Sequence, residues 1–251
     1  MPNSLKDALR ESKPLVGTLV TIASPEVAEV LVLAGFDWLF IDLEHGSLSV
    51  QDAQRAIQAV AGGCYTVVRV ADGTAENVKR VLDIGCDGII APHVNSAEEA
   101  RRIVALSKYP PLGERSVGLG RAQGYGLTFG DYISSANERI AVIVQVEHQD
   151  AVANVHKILA VPGVDAVFVG PYDLSGSMGI LGQVSDARVL EAIEKVRAAC
   201  ATSKMPFGIF SAIAEQASAA IKKGARIVAV GTDLMHMADS ARGILEAMRL
   251  S

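Results

Sequence analysis

Runs of apolar, β-branched residues and stretches of helical spacing take turns along the whole chain. The apolar runs are LVGTLVTI (15–22), DWLFIDLE (37–44), YTVVRV (65–70), GIIAPHV (88–94), RIAVIVQVE (139–147), DAVFVG (165–170), PFGIFS (206–211) and RIVAVG (226–231). Each reads as a buried strand, and each is followed by a segment whose apolar positions recur with a helix period. The punctuation agrees with the period. Ser24-Pro25 predicts an N-cap with proline in the first helical position, and SAEE at 96–99 has the spacing of a capping box. Gly35, Gly85 and Gly224 fall where a helix gives way to the next strand, the position that favours a left-handed C-cap.

Near-continuous apolar strands joined through helices imply parallel strands covered on their outer face. Eight such units close into a (β/α)8 barrel, a TIM barrel of the α/β class, expected here as a single domain over residues 1–251. The competitor is a doubly wound open sheet, which carries a glycine fingerprint after its first strand; TIASPEV has none. The segment PPLGERSVGLGRAQGYGLTFGDY (110–132) is far longer than a usual helix-to-strand connection, so it is expected to have a task. It reads equally as a covering loop or an oligomer contact.

Half of the residues are hydrophobic, and the formal charge of -5 is spread along the chain, leaving no basic footprint for nucleic acid or an anionic membrane. Small molecules and other copies of the chain are the expected partners. The three cysteines, Cys64, Cys86 and Cys200, share no metal-ligand spacing and are odd in number, which favours a reducing, cytoplasmic setting. No apolar run approaches the roughly 18 residues of a membrane span, and MPNSLKDALRESKP has no apolar core of a leader.

In a (β/α)8 barrel the C-terminal strand ends converge on the face that carries active sites. Those ends hold Asp42, Glu44 and His45, then Arg69, His93, Gln145, Glu147 and His148, Asp173, and Asp233 with His236. The opposite ends hold mostly Gly, Pro and ordinary surface charges. Glu147 and Asp173, on neighbouring strand ends, are two hard oxygen ligands suited to Mg2+ or Mn2+. The plainer readings are an ion pair with an arginine for Glu147 and a cap or Asx turn for Asp173. Arg69 suits the holding of a carboxylate or an enolate oxygen, and suits equally the neutralising of Asp42 or Glu44. His45 is a candidate general base or metal ligand, or simply a polar residue beside a helix start. None of the lysines lies inside a strand, so Schiff-base chemistry on a carbonyl is not expected.

The motifs WLFIDLEHG, VVRV, APHVNSAEEA, YPPLGERSVG, VQVEH and VFVGPYDLSGSMG, in this order, resemble the class II pyruvate aldolases of the HpcH/HpaI family over nearly the whole chain. The resemblance implies a divalent ion, Mg2+ or Mn2+ first and Co2+ or Zn2+ after them, held by Glu147 and Asp173. It implies that Gln145 and the backbone at Gly170, Tyr172 and Asp173 contact the 2-oxo acid, with Arg121 a further substrate contact, and that Arg69 stabilises the enolate. His45 becomes the acid/base, made more basic by Asp83, and Asp42 sits beside the ion's waters. Asp83 ends a helix, on the face opposite the strand ends, so it would reach His45 from a neighbouring subunit. The resemblance also implies a homo-oligomer, typically a hexamer, with the final helix exchanged between subunits. Tyr172 stands where the family often has a small residue and His93 where it has an apolar one; both departures bear on the aldehyde.

The reading is therefore reversible aldol cleavage of a 4-hydroxy-2-oxo acid to pyruvate, or a substituted pyruvate, and an aldehyde, with oxaloacetate decarboxylation as a side activity. The rivals are a citrate-forming synthase or acyl-CoA lyase with the same metal pair, and a non-catalytic 2-oxo-acid-binding protein. A CoA site needs a basic patch at the mouth, for which the sequence offers chiefly Arg115 and Arg121.

Overall fold

In a computed structural model, which describes residues 4–249, eight parallel strands pair in chain order and the last closes on the first. The strands are β1 (Leu15–Val20), β2 (Trp38–Asp42), β3 (Tyr65–Arg69), β4 (Gly88–Ala91), β5 (Ala141–Val146), β6 (Ala166–Val169), β7 (Phe207–Ser211) and β8 (Ile227–Thr232). The helices are α1 (Leu5–Arg10), α2 (Pro25–Leu33), α3 (Val50–Val60), α4 (Ala75–Asp83), α5 (Ala97–Ser107), α6 (Phe129–Arg139), α7 (Gln149–Ala153), α8 (Val155–Leu159), α9 (Pro171–Ser177), α10 (Ala187–Ser203), α11 (Ala214–Lys222) and α12 (Asp233–Arg249). This is the expected (β/α)8 barrel.

The alternation of side chains along each strand divides the core in two. Trp38, Phe40, Val67, Ile90, Ile143 and Phe168 fill the barrel interior. Leu39, Ile41, Val68, Ile89, Val142 and Val144 pack outward under the helices. The interior cluster also takes in Leu5, Ala8 and Leu9 of α1, so that helix plugs the N-terminal end of the barrel. The barrel interior is left open at its C-terminal end. Gly17 of β1 faces Trp38, and a Cβ there would collide with the Trp38 carbonyl and indole. The absence of a side chain lets the indole cross the barrel and donate to the Val228 carbonyl at 3.2 Å.

The punctuation is largely as expected. Ser24 accepts the Val27 N–H with Pro25 in the first helical turn, and Gly35, Gly85 and Gly224 have φ of 98°, 80° and 99°. Ser96 accepts the Glu99 N–H, but the Glu99 carboxylate reaches back to the N–H of Asn95, one residue before the cap. Several strands stop earlier than their apolar runs. β4 ends at Ala91 because Pro92 has no N–H to give a ladder and His93 has φ 57°. The polar residues that follow are thus loop residues aimed at the open end.

The long segment between α5 and β5 lies at the plugged end of its own barrel. Arg115 is buried there between the rings of Tyr109 and Tyr132, 4.5 and 5.6 Å from their centroids, while Val117, Leu119, Tyr125 and Leu127 are exposed. The first turn of α12 stays on the barrel through Asp233 and His236, and residues 241–249 are exposed, Ile244, Leu245 and Met248 included. Among the described residues no helix is long and apolar enough to cross a membrane.

Candidate active site

The open end of the barrel gathers charges that the interior beneath it could not hold. Asp42, the last residue of β2, is buried and takes Arg69, the last residue of β3, in a two-pronged pair: Nε to Oδ1 at 2.8 Å and Nη2 to Oδ2 at 2.7 Å. The two residues are register partners across the β2–β3 ladder, which puts them side by side. Asp42 Oδ1 also accepts the backbone N–H of Glu44 at 3.0 Å and of His45 at 3.4 Å. One carboxylate therefore shapes the turn that presents the next two side chains, and Gly46, at φ 140°, lets the chain leave it.

Glu44 faces Arg69 as well, with Oε2 2.9 Å from Nη1. Burial works against the Arg69 charge, but the bonds to Asp42 and the fields of Asp42, Glu44 and Glu147 outweigh it and raise its pKa further. The guanidinium lies 5.2 Å over the Phe40 ring. So the neutralising reading of Arg69 is correct in geometry, and yet Arg69 lines a cavity of about 140 Å³ with His45, Gln145, Gly170, Tyr172 and Asp173. Both readings describe one side chain.

Glu147 follows β5 and is buried. Its partner is not an arginine: Oε1 accepts the backbone N–H of His93 at 2.7 Å, and Oε2 accepts from Gln145 Nε2. Burial pushes its carboxyl above the ordinary range and the charges of Glu44 and Asp173 push the same way, against the His93 N–H and ring. A Cβ on Gly170 would lie 3.1 Å from Gln145 Nε2 and 3.3 Å from Glu147 Oε2, so glycine keeps room for both. Asp173, in the first turn of α9, is exposed, and among the described residues it has neither a cap nor an ion pair. The His45 ring is largely exposed, its Nε2 3.7 Å from Glu44 Oε2.

These residues fit a divalent cation. Asp42, Glu44, Glu147 and Asp173 are set against one fixed positive charge, Arg69, with the His93 and His45 rings beside Glu44, an excess of carboxylates at one end of the barrel. Gln145 Oε1 is buried without a hydrogen-bond partner, as expected of a wall whose ligand completes it. A cluster of Glu44, His93 and Glu147 brings three ligand atoms within 4.8 Å of one another.

The family pattern of HpcH/HpaI aldolase/citrate lyase matches residues 16–240. The chain belongs to this family. It is 40% identical to a hydroxypyruvate/pyruvate aldolase of Paraburkholderia phytofirmans, covering 98% of each chain. It is 39% identical to a 4-hydroxy-2-oxo-heptane-1,7-dioate aldolase of Salmonella dublin, over 97% of this chain and 94% of the relative. Among solved structures, an HpcH/HpaI family protein from Burkholderia cenocepacia superposes with a TM-score of 0.95 at 36% identity, over 98% of this chain and 99% of that one.

Not every candidate joins the HpcH/HpaI site within one chain. Asp83 lies at the plugged end, where its Oδ1 accepts from Arg115 Nη2 at 2.8 Å and from Gln123 Nε2 at 3.3 Å. Arg121 lies beside it, its Nη1 donating to the Ile84 carbonyl at 2.9 Å. The topology sends every helix-to-strand turn to that end, away from the cavity. Arg115 and Arg121 therefore form no basic patch at the mouth of their own barrel. Lys108, the buried amine, is also at the plugged end, donating to the Asn137 and Ile140 carbonyls, and no strand carries a lysine. Asp233 accepts from Thr21 and Ile22 and ties β8 to the turn after β1, and His236 Nε2 is 2.9 Å from Thr18 Oγ1. Sequence reasoning placed Glu44 and His93 at strand ends but gave neither a part in the cluster that they form. It also passed over Leu19 and Phe210, which line the cavity; as apolar strand residues they look like any core position.

Proposed function

We propose that this chain is a metal-dependent carbon–carbon lyase that cleaves 4-hydroxy-2-oxo acids, reversibly, into pyruvate or a substituted pyruvate and an aldehyde. The observation that carries the reading is Arg69, charged and fixed at the wall of a cavity that also holds Gln145, Asp173 and an exposed His45. Membership of the HpcH/HpaI family and the likeness to named aldolases support it.

Glu147 and Asp173 would hold a divalent ion, Mg2+ or Mn2+. When bound, such an ion supplies Lewis-acid polarisation of the 2-oxo acid. The chain's own residues do the rest. A guanidinium has five N–H donors, and Asp42 occupies only two of them in hydrogen bonds, so Nη1 and Nη2 keep donors for the oxygen that becomes negative in the enolate. The grip of Asp42 fixes the direction of those donors before the substrate arrives. Gln145 and the backbone at Gly170 and Tyr172 line the place of the 2-oxo acid. His45 takes the proton of the C4 hydroxyl as the C3–C4 bond breaks and returns it in the condensation. The same enolate arises by decarboxylation of oxaloacetate, a side activity that needs no such proton.

Asp83 and Arg121 would serve the site of a neighbouring copy, Asp83 making His45 more basic and Arg121 meeting the substrate. The exposed apolar residues beside them, and the exposed Ile244, Leu245 and Met248 of α12, suit a homo-oligomer, hexameric as in the resemblance, with α12 exchanged. Buried, unpaired Cys64, Cys86 and Cys200 suit a reducing cytoplasm.

The test is release of pyruvate from a panel of 4-hydroxy-2-oxo acids by the purified protein with Mg2+ or Mn2+ added. Failure on every member by folded, metal-loaded protein would overturn the proposal in favour of a binding protein.

A further inference from the structure

His93 has a backbone conformation that side chains rarely adopt, φ 57°, and the surroundings that maintain it are the site itself. Its N–H donates to Glu147 Oε1 at 2.7 Å. That bond sets the ring across the carboxylates, with Nε2 2.9 Å from Glu44 Oε1 and Nδ1 3.2 Å from Glu147 Oε1. A neutral imidazole has one N–H and one lone pair. With the proton on Nε2, that N–H faces the Glu44 carboxylate, which itself lies against Arg69. The Nδ1 lone pair then faces a Glu147 oxygen, and the two atoms form a donor pair that one cation can share.

Two ligand atoms each about 2.1 Å from one ion, at roughly a right angle, lie about 3 Å apart. The 3.2 Å between Nδ1 and Glu147 Oε1 is such an edge. We propose that His93 Nδ1 is a ligand of the divalent ion beside Glu147, and that Glu44 is the positioning residue that fixes its tautomer through Nε2–H. This rests on the metal centre given above and adds a nitrogen to an otherwise all-oxygen set. Its consequence is selectivity. Imidazole nitrogen favours Co2+ and Zn2+ over Mg2+, which holds to oxygen ligands. A carboxylate on the far ring nitrogen, as Glu44 is here, is the usual device for orienting a metal-bound histidine.

The test uses the metal-stripped protein, calorimetric titration with Mn2+, Zn2+ and Mg2+, and pulsed EPR of the Mn2+ complex. One Mn2+ per chain is expected, with nitrogen hyperfine coupling in the wild type and in His45→Ala. The coupling should vanish in His93→Asn and His93→Met. Zn2+ affinity should fall about tenfold or more in those two variants, with Mg2+ affinity changed less than about twofold, and Glu44→Gln should weaken Zn2+ while keeping the coupling. One Mn2+ bound to wild type without nitrogen coupling would overturn the role of His93 and leave Glu147 and Asp173 as the metal pair. Failure to bind any of the three ions would overturn the metal centre and this proposal together.

Discussion

Asp42 grips Arg69 through two parallel bonds of 2.8 and 2.7 Å, with both side chains almost wholly removed from solvent. Such a pair contributes little net stability, because desolvation of two charges offsets their attraction. Its value is direction. A planar fork held on one side has a fixed orientation on the other, where the cavity lies. Arg69→Lys supplies the charge without the fork, and loss of an aligned donor at a developing oxyanion costs about 10²-fold or more in rate. The expected result is a folded Lys variant with kcat for pyruvate release lowered by about that factor. Wild-type turnover in that variant would make Arg69 a neutralising residue only.

Glu147 separates stability from activity. Burial raises its carboxyl and the charges of Glu44 and Asp173 add to the effect, so the ionised form is a burden on the metal-free fold. Glu147→Gln removes that charge at nearly constant volume. Thermal unfolding of the metal-free variant should occur at the same temperature as wild type or above it, while aldolase activity falls to the level of chelator-treated enzyme. Asp173→Asn should lose activity likewise. If the Gln variant kept full turnover, or if chelated wild type did, Glu147 would not be a ligand.

The barrel was legible because its signals are local and repeated: apolar runs, a proline after Ser24, glycines at 35, 85 and 224. The open-end polar inventory was legible for the same reason, since topology alone sends strand ends to one face. Partnerships were not. Whether Arg69 serves Asp42 or a substrate depends on register and ring position, and the structure has it do the first while facing the cavity. The bridge made by His93 depends on a positive φ that no residue type announces. Asp83 and Arg121 lie at the plugged end of their own barrel, and the part proposed for them needs a neighbouring copy, which the sequence of one chain does not show.

Lys108 provides a test of the fold that is independent of the chemistry. Burial, with the Lys6 charge adding to it and Asp165 opposing, holds its amine down to about 8 from an ordinary 10.5. Below pH 8 the folded state carries the full penalty of a buried charge. Between the two values the unfolded chain keeps the proton and the folded chain has lost it, so this residue makes stability rise with pH across that window. Lys108→Met removes the titration. The free-energy difference between wild type and variant, from urea unfolding at pH 7.5 and pH 10, should move in favour of wild type by up to about 3 kcal/mol. A difference independent of pH would place the amine in water.

The proton on the substrate distinguishes His45 from Arg69. His45 is exposed at the cavity wall, tied to Asp42 only through its backbone N–H, so its removal leaves the grip on Arg69 in place. Aldol cleavage requires a base for the C4 hydroxyl; decarboxylation of oxaloacetate reaches the same enolate without one. His45→Ala should therefore lose pyruvate release from a 4-hydroxy-2-oxo acid by about 10² to 10⁴-fold, the span of general acid/base catalysis, and largely retain decarboxylation. Arg69→Ala should damage both, and it should also lower thermal stability, because Asp42 and Glu44 are then buried without their partner. The comparison is made on both substrates at one metal concentration, with metal affinity measured for each variant. Equal loss of both activities in His45→Ala at unchanged metal affinity would assign the imidazole to the enolate itself, and the C4 proton would then need another acceptor.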